Sequence, residues 1–126
     1  MRWLTLTAAL ALVAGCGGGG GSPSSPSPGP NANTITISTT GVSPTQLTIS
    51  QGARVLFVNN DTKLHNVASD PHPEHTDCPE INNVGLLAPG QSRETGNMNT
   101  IRTCGFHDHD DPPPGGTRWT GKIVIH

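Results

Sequence analysis

A run of glycine, serine and proline limits how much of this chain can fold. The segment GGGGGSPSSPSPGPNAN, Gly17–Asn33, contains no apolar side chain larger than proline. Such a segment cannot bury enough surface to offset the loss of chain entropy, so it is predicted to be a flexible tether. Of the 126 residues, Thr34–His126 are left to form a domain. A domain this short has a thin core and often gains stability from a metal ion or a disulfide.

The residues before the tether have the pattern of an export signal. Arg2 supplies a positive start, Leu4–Val13 is an apolar run, and the sequence VAGC ends at Cys16. The apolar run is too short to anchor the chain stably across a bilayer. The small residues before Cys16 resemble a bacterial lipobox, which implies cleavage before this cysteine and attachment of lipid to it. Simple cleavage nearby, with Cys16 lost or left free, is the alternative.

These segments predict the organisation of the whole chain. We expect a lipoprotein signal peptide over residues 1–15, a lipidated cysteine and tether over residues 16–33, and one domain over residues 34–126. The lipid would anchor the domain to a membrane of the bacterial cell envelope, on the periplasmic face of the outer membrane or at the cell surface. The domain carries nine acidic and six basic residues. This mild negative charge, without a basic cluster, argues against binding of nucleic acid.

Strand patterns dominate the domain, and no convincing helix appears. Alternating runs predict strands at Thr34–Ile37 and Gln46–Ser50, and a denser apolar run predicts a more buried strand at Ala53–Asn59. A short polar strand is expected after the turn at Pro89–Gly90. The last two strands are expected at NTIRTC, Asn99–Cys104, and at TGKIVIH, Thr120–His126. About seven short strands in a chain of this length predict an all-β sandwich.

The first half of the domain resembles a known family. GVSPTQLTISQGARVLFVNNDTKLHNV, Gly41–Val67, is similar to the N-terminal half of the cupredoxins, small copper-binding sandwiches such as plastocyanin and amicyanin. The resemblance rests on the turn before SP, the strands QLTIS and VLFVNND, Gly52, and HN at His65–Asn66. It implies a cupredoxin-like Greek-key sandwich in which His65 is the first copper ligand and Asn66 braces the ligand loops through backbone hydrogen bonds. A lone histidine outside this context would be a surface or capping residue.

The C-terminal part carries the other half of the resemblance. NTIRTC ends at Cys104, His107 follows at Cys-x-x-His spacing, and TGKIVI, Thr120–Ile125, is similar to the closing strand. The resemblance implies that Cys104 ends a strand as a thiolate ligand and that His107 is the second imidazole. One copper ion held by His65, Cys104 and His107 would cycle rapidly by one electron. The implied role is one-electron transfer with a redox partner protein.

The match departs from the family pattern at the expected methionine. Two residues before the closing glycine stands Trp119, whose indole offers a donor and no lone pair. The domain's only methionine, Met98, precedes the cysteine strand and is not an obvious replacement. The site would then be open and trigonal, or it would take a further ligand from His109 or from the middle loop.

The middle loop, SDPHPEHTDCPEIN at Ser69–Asn82, lies outside the common family pattern. His72, His75 and Cys78 recur in it at three-residue intervals, with acids between them. This density predicts a second metal site or an extra ligand for the first one. A solvated loop stiffened by proline is the alternative.

The cysteine count opens a second interpretation of the metal site. If Cys16 carries lipid, Cys78 and Cys104 remain as a pair in an oxidising compartment, where an even number favours a disulfide. A disulfide would leave no thiolate, and a site made of histidines alone suits Cu(II) or Zn. The ligands would come from His65, His107 and His109, with His72 or His75 from the loop. The function would then be copper sequestration or delivery, with a copper donor or acceptor as partner.

A short segment also resembles a family of enzymes. GFHDH, Gly105–His109, is similar to the GFHxH copper-ligand segment of the copper–zinc superoxide dismutases. These are β-sandwiches with a disulfide, and the two rings of His-x-His on a strand point to one face. The match is five residues long and lacks the family's further histidine and zinc-loop patterns. The chain is therefore expected to be an electron carrier or metal-binding protein and not an enzyme, with a purely structural sandwich as a further alternative.

Overall fold

A computed structural model describes residues 33–126 of the chain. The signal peptide predicted over residues 1–15, the lipidation of Cys16 and nearly all of the predicted tether lie outside the described residues. Within residues 33–126, no helix has both the length and the apolar character that crossing a membrane requires.

The described residues form short strands and a single stretch of 3-10 helix. The strands are β1 (Thr34–Ser38), β2 (Gly41–Ser43), β3 (Gln46–Ile49), β4 (Leu56–Asn59), β5 (His65–Ser69), β6 (Gly85–Leu87), β7 (Ser92–Glu94), β8 (Thr103–Asp108) and β9 (Gly121–Ile125). The 3-10 helix spans Pro79–Asn83, between β5 and β6. The predicted all-β fold is confirmed.

The strands build two mixed sheets. One has the order β2-β1-β4-β7 and the other the order β3-β9-β8-β5-β6. β1 runs parallel to β4 and β3 parallel to β9, whereas the other pairs are antiparallel. β8 lies between β5 and β9 in the second sheet, and its side chains project alternately into the core and away from it.

The core lies between the two sheets. Phe57 of β4 and Phe106 of β8 meet edge to face with their ring centroids 5.1 Å apart, which joins the sheets through an aromatic contact. Ile35 of β1 and Ile123 of β9 are fully buried in the same apolar cluster. The alternating burial along β1 agrees with the period-two pattern of its sequence.

The strand predictions hold for most of the chain and fail around the cysteine. β1, β3, β4, β7 and β9 lie within or beside the predicted runs, whereas β2, β5 and β6 were not predicted as separate strands. The strand expected to end at Cys104 instead begins at Thr103 and continues to Asp108. Ile101, expected inside that strand, is 64% exposed in the preceding loop. Cys104 therefore lies near the start of β8, and a carboxylate stands at its end.

Candidate metal centre

Four histidines from two parts of the chain form one cluster. His107 lies near the end of β8 and His109 directly follows the strand, and His72 and His75 lie in the loop after β5. Each ring offers a nitrogen, and these four nitrogens all lie within 4.8 Å of one another. Because metal–nitrogen bonds are about 2.0 Å long, ligands on opposite sides of an ion are about 4 Å apart. The four rings therefore need only a small inward movement to share one ion.

The two-residue period of β8 separates this cluster from the core. Cys104 and Phe106 point into the apolar core, and Asp108 follows them on the same face. His107 therefore points to the outer face of the sheet. The N–H of His109 donates to the carbonyl of Asn66 at 2.7 Å, which extends the pairing with β5 and keeps His109 beside His107.

The histidine-bearing loop folds back over the outer face of β8. The N–H of Asp70 donates to the carbonyl of Gly105 at 3.0 Å. A Cβ at Gly105 would overlap the Asp70 carboxylate, so only glycine allows this close approach. The contact places the Asp70 carboxylate against His107.

His107 provides the observation that most directly indicates a metal site. Its Nδ1 lies 2.6 Å from Oδ1 of Asp70, and a carboxylate accepts, so this nitrogen carries the proton and Nε2 keeps its lone pair. The side chain is 0% exposed, and Nε2 has no hydrogen-bond partner among the described residues. A buried polar atom without a partner costs free energy, and a bound metal would satisfy it. Metal-ligating histidines typically have such a carboxylate on their second nitrogen.

His75 and His109 are fixed by consecutive hydrogen bonds. Nδ1 of His75 donates to the Ser69 carbonyl at 2.8 Å, and its Nε2 accepts from Nδ1 of His109 at 2.8 Å. His75 has a φ of 55°, a left-handed conformation that residues other than glycine rarely adopt. The N–H of His75 donates to the Pro71 carbonyl at 2.7 Å, and the carbonyl of His75 accepts from Nδ2 of Asn82 at 2.8 Å, which holds the backbone there. The surrounding contacts thus impose the strained backbone that turns this ring into the cluster.

His72 is the exposed member of the cluster. Its pKa is lowered from the ordinary value, first by desolvation of the ring and then by the positive charges of the other histidines. The contributing neighbours are His109, His107 and His75. A lowered pKa keeps the imidazole neutral to more acidic pH, and a neutral ring is the form that binds metal.

Cys104 does not provide a thiolate. Its sulfur forms a disulfide with Cys78, both residues are fully buried, and their Cα atoms are 5.8 Å apart. A sulfur in a disulfide cannot serve as a thiolate ligand, so the predicted trigonal site of His65, Cys104 and His107 is not formed. The alternative pairing of Cys78 with Cys104 is the one present. This bond ties the end of the histidine-bearing loop to β8, just before His107.

His65 lies on the inner face of the sheet, apart from the cluster. Its Nδ1 is 2.7 Å from Oδ2 of Asp108 and its Nε2 is 2.9 Å from Oδ2 of Asp61, and all three side chains are buried. The hydrogen bond with His65 lowers the pKa of the Asp61 carboxyl. With both ring nitrogens engaged by carboxylates, His65 has no lone pair free for a metal. Its predicted role as first ligand is replaced by this acid–histidine–acid triad.

The other residues implied by the family pattern surround the triad. Trp119, at the expected methionine position, has its ring centroid 4.8 Å from that of His65, and its Nε1–H donates to the Ser38 carbonyl at 2.8 Å. The predicted bracing by Asn66 is present, since its N–H donates to Oδ1 of Asp108 at 3.1 Å and its carbonyl accepts from His109. The end of the sandwich at which the family resemblance placed the metal is thus closed by these hydrogen bonds and by the indole of Trp119.

The sequence interpretation missed the residues that support the cluster. Asp70 and Gly105 hold His107, and Asp61 and Asp108 hold His65. Gly105 is a usable signal only once the strand is placed at Thr103–Asp108, because a glycine inside a strand often marks the close approach of another chain segment. The side on which the loop would fold could not be read from its composition.

Comparison with solved structures identifies the fold. A purple cupredoxin from Nitrosopumilus maritimus matches with a TM-score of 0.57 at 18% identity, over 74% of this chain and 98% of that chain. Amicyanin from Paracoccus versutus matches with a TM-score of 0.60 at 17% identity, over 78% and 84%. A mutant plastocyanin of a fern matches with a TM-score of 0.56 at 18% identity, over 74% and 99%. No protein-family model matches the chain, and no curated protein does.

Proposed function

The chain has a cupredoxin-like fold, and we propose that it binds one copper ion through His72, His75, His107 and His109 for copper sequestration or delivery. The observation that carries the proposal is the buried Nε2 of His107, which has a lone pair and no partner among the described residues. Three further imidazoles lie beside it, each with a nitrogen within 4.8 Å of the others.

The donor set favours copper. Imidazole nitrogens bind several divalent metals, and among these Cu(II) forms the most stable complexes. Zn is the competing ion, since it too accepts four nitrogen ligands. A site of imidazoles without a thiolate gives less reason for fast electron transfer, which favours sequestration or delivery of copper.

The chain's own residues prepare the cluster for a metal. Asp70 and the Ser69 carbonyl hold protons on the Nδ1 atoms of His107 and His75, so the Nε2 atoms of both rings are unprotonated. Nε2 of His75 accepts a hydrogen bond from Nδ1 of His109, and a metal on Nε2 would replace this bond. The disulfide from Cys78 to Cys104 joins the loop to β8, which carries His107 and leads directly into His109. Bound copper would be stored in this site and released by exchange of its ligands.

Electron transfer, the role first implied by the family resemblance, is less well supported. It depended on a thiolate at Cys104, and that sulfur is bonded to Cys78. A dismutase-like activity has one supporting observation, because His107 and His109 of GFHDH contribute to the same cluster. Superoxide dismutation by the copper-loaded protein measures it directly, and the delivery function predicts a negligible rate.

Copper titration of the purified protein tests the main proposal. We expect one Cu(II) per chain, a pale complex without an intense thiolate-to-copper band, and nitrogen hyperfine structure in the electron paramagnetic resonance spectrum. His107→Ala should abolish tight binding. His126→Ala, which removes an exposed histidine outside the cluster, should not change it. An intense visible band, or equal binding by the wild-type protein and His107→Ala, would contradict the proposal.

The cell envelope is the proposed location, with the lipid on Cys16 as anchor. The VAGC sequence before the tether supports it. Cys16→Ser should move the protein from the membrane fraction to the soluble fraction of the cells. An unchanged membrane fraction would contradict lipid anchoring without affecting the copper site.

A further inference from the structure

The four histidines of the cluster are held to different degrees. His107 is buried and hydrogen-bonded to Asp70. His75 and His109 are hydrogen-bonded to each other and to residues of β5. His72 is exposed, and neither its ring nor its backbone makes a hydrogen bond to any described residue. Only the packing of its ring against the other three, at centroid distances of 5.0 to 5.5 Å, places it in the cluster.

An open pocket lies directly beside His72. It has a volume of about 420 Å³ and is lined by Asp70, Pro71, His72, Pro113 and Pro114. Proline fixes its own backbone angle, so walls made of proline keep their shape when a ligand enters. The pocket has room for an incoming imidazole side chain next to the His72 ring.

A second opening reaches the cluster on the side of His75 and His109. It has a volume of about 330 Å³. Both residues are held there, because Nδ1 of His75 donates to the Ser69 carbonyl and the backbone N–H of His109 donates to the Asn66 carbonyl. An incoming ligand on this side would have to break these hydrogen bonds as well as a metal bond. The His72 side requires only the metal bond to break.

We propose that His72 is the exchange ligand of the site, and that copper passes through the proline-lined pocket to an acceptor that presents imidazole. This inference rests on the proposed copper-binding function. In the exchange, the copper–nitrogen bond to His72 breaks and a bond to the acceptor's imidazole nitrogen forms, and copper keeps its oxidation state. The Asp70 carboxylate, whose side chain is 38% exposed, faces the same pocket and favours a neutral imidazole over an anionic donor.

Transfer kinetics test the role of His72. The copper-loaded protein is mixed with a histidine-containing peptide chelator, and the rate is followed as the peptide concentration rises. In the wild-type protein the rate should reach a plateau, because release of His72 becomes limiting. In His72→Ala the rate should rise linearly, and at low peptide concentration it should exceed the wild-type rate.

Matched variants separate His72 from the other ligands. His109→Ala should bind copper more weakly and keep the plateau, whereas His126→Ala should behave as the wild-type protein. A plateau that persists in His72→Ala, or one that disappears in His109→Ala, overturns the assignment of the exchange ligand. Failure of the wild-type protein to bind copper would instead contradict the proposed function, so the two failures are distinguishable.

Chemical footprinting gives a second readout that needs no transfer. In the metal-free protein, diethyl pyrocarbonate should modify the exposed His72 and His126 before the buried His107. Copper should then protect His72 and leave His126 reactive. Protection of neither residue, in protein shown to hold copper, would exclude His72 from the site.

Discussion

His107 donates from Nδ1 to Oδ1 of Asp70 across 2.6 Å, while its Nε2 remains buried without a partner among the described residues. One carboxylate thus selects the tautomer of a buried ring and leaves its other nitrogen available for a metal. Asp70 reaches this position because the loop lies directly on Gly105. The preparation of the site therefore depends on residues that would not themselves touch the metal.

Removing the Asp70 carboxylate should weaken metal binding without removing a ligand. Asp70→Ala leaves Nδ1 of His107 without an acceptor, and we expect copper affinity to fall by about 10- to 100-fold. Asp70→Asn, which can still accept through its amide oxygen, should lose less. Competition titrations with a chelator of known affinity measure both variants. Equal affinity in Asp70→Ala and the wild-type protein would show that the hydrogen bond does not support the site.

Adding a methyl group at Gly105 should act through Asp70. The new Cβ would occupy the space of the Asp70 carboxylate, so Gly105→Ala should displace the carboxylate and lower copper affinity in the direction of Asp70→Ala. If both changes act on the same hydrogen bond, the copper affinity of the double variant should be close to that of the single variant with the lower affinity. Additive losses in the double-mutant cycle would show that Gly105 acts by another route.

The sequence predicts the sandwich well because its signals are local. Alternation in TITIS and QLTI follows from side chains that point alternately inward and outward, and it locates β1 and β3. The prediction of β8 is wrong because the pattern of Asn99–Cys104 is typical of a strand, although Ile101 is exposed in the structure. Inward-facing residues Cys104 and Phe106 continue the alternation to Asp108, and this is the actual strand.

The sequence predicts the candidate site only in part, because residue type and spacing are local signals. The histidines that form it, including those of the middle loop, could be recognised by residue type and spacing. Which of them share a site depends on the face of β8 and on the fold of the loop over Gly105, and these are long-range contacts. The choice between a thiolate and a disulfide at Cys104 likewise depends on where Cys78 lies, and spacing along the chain does not encode that position.

Replacing His65 should destabilise the protein and leave the metal site intact. His65→Ala would leave the buried carboxylates of Asp61 and Asp108 without their shared partner, and an unpaired buried charge is strongly unfavourable. We expect a lower free energy of unfolding in urea and an unchanged copper affinity at a temperature where the variant is folded. Loss of copper binding by the folded variant would show that His65 is a ligand.

Removing the disulfide should affect stability and the metal site together. It joins β8 to Cys78, at the end of the loop that carries His72 and His75, and loss of such a bond typically costs about 2–4 kcal/mol. The double variant Cys78→Ala, Cys104→Ala should unfold at a lower urea concentration and bind copper more weakly, because the loop is no longer tied to β8. Unchanged copper affinity in the folded variant would show that the hydrogen bonds of the loop suffice to hold its ligands.

Acid should destabilise the metal-free protein through His72. Its pKa in the folded state is lowered from 6.5, chiefly by desolvation. As the pH falls below 6.5, the unfolded chain binds a proton that the folded protein resists, so the free energy of unfolding decreases. His72→Gln removes this difference in proton binding, and its stability should fall less than that of the wild-type protein between about pH 7 and pH 5. Urea unfolding in the presence of a chelator, at several pH values, measures the effect. His126→Gln serves as the control for an exposed histidine outside the cluster, and its free energy of unfolding should change with pH as in the wild-type protein. The same pH dependence in His72→Gln would contradict the lowered pKa of His72.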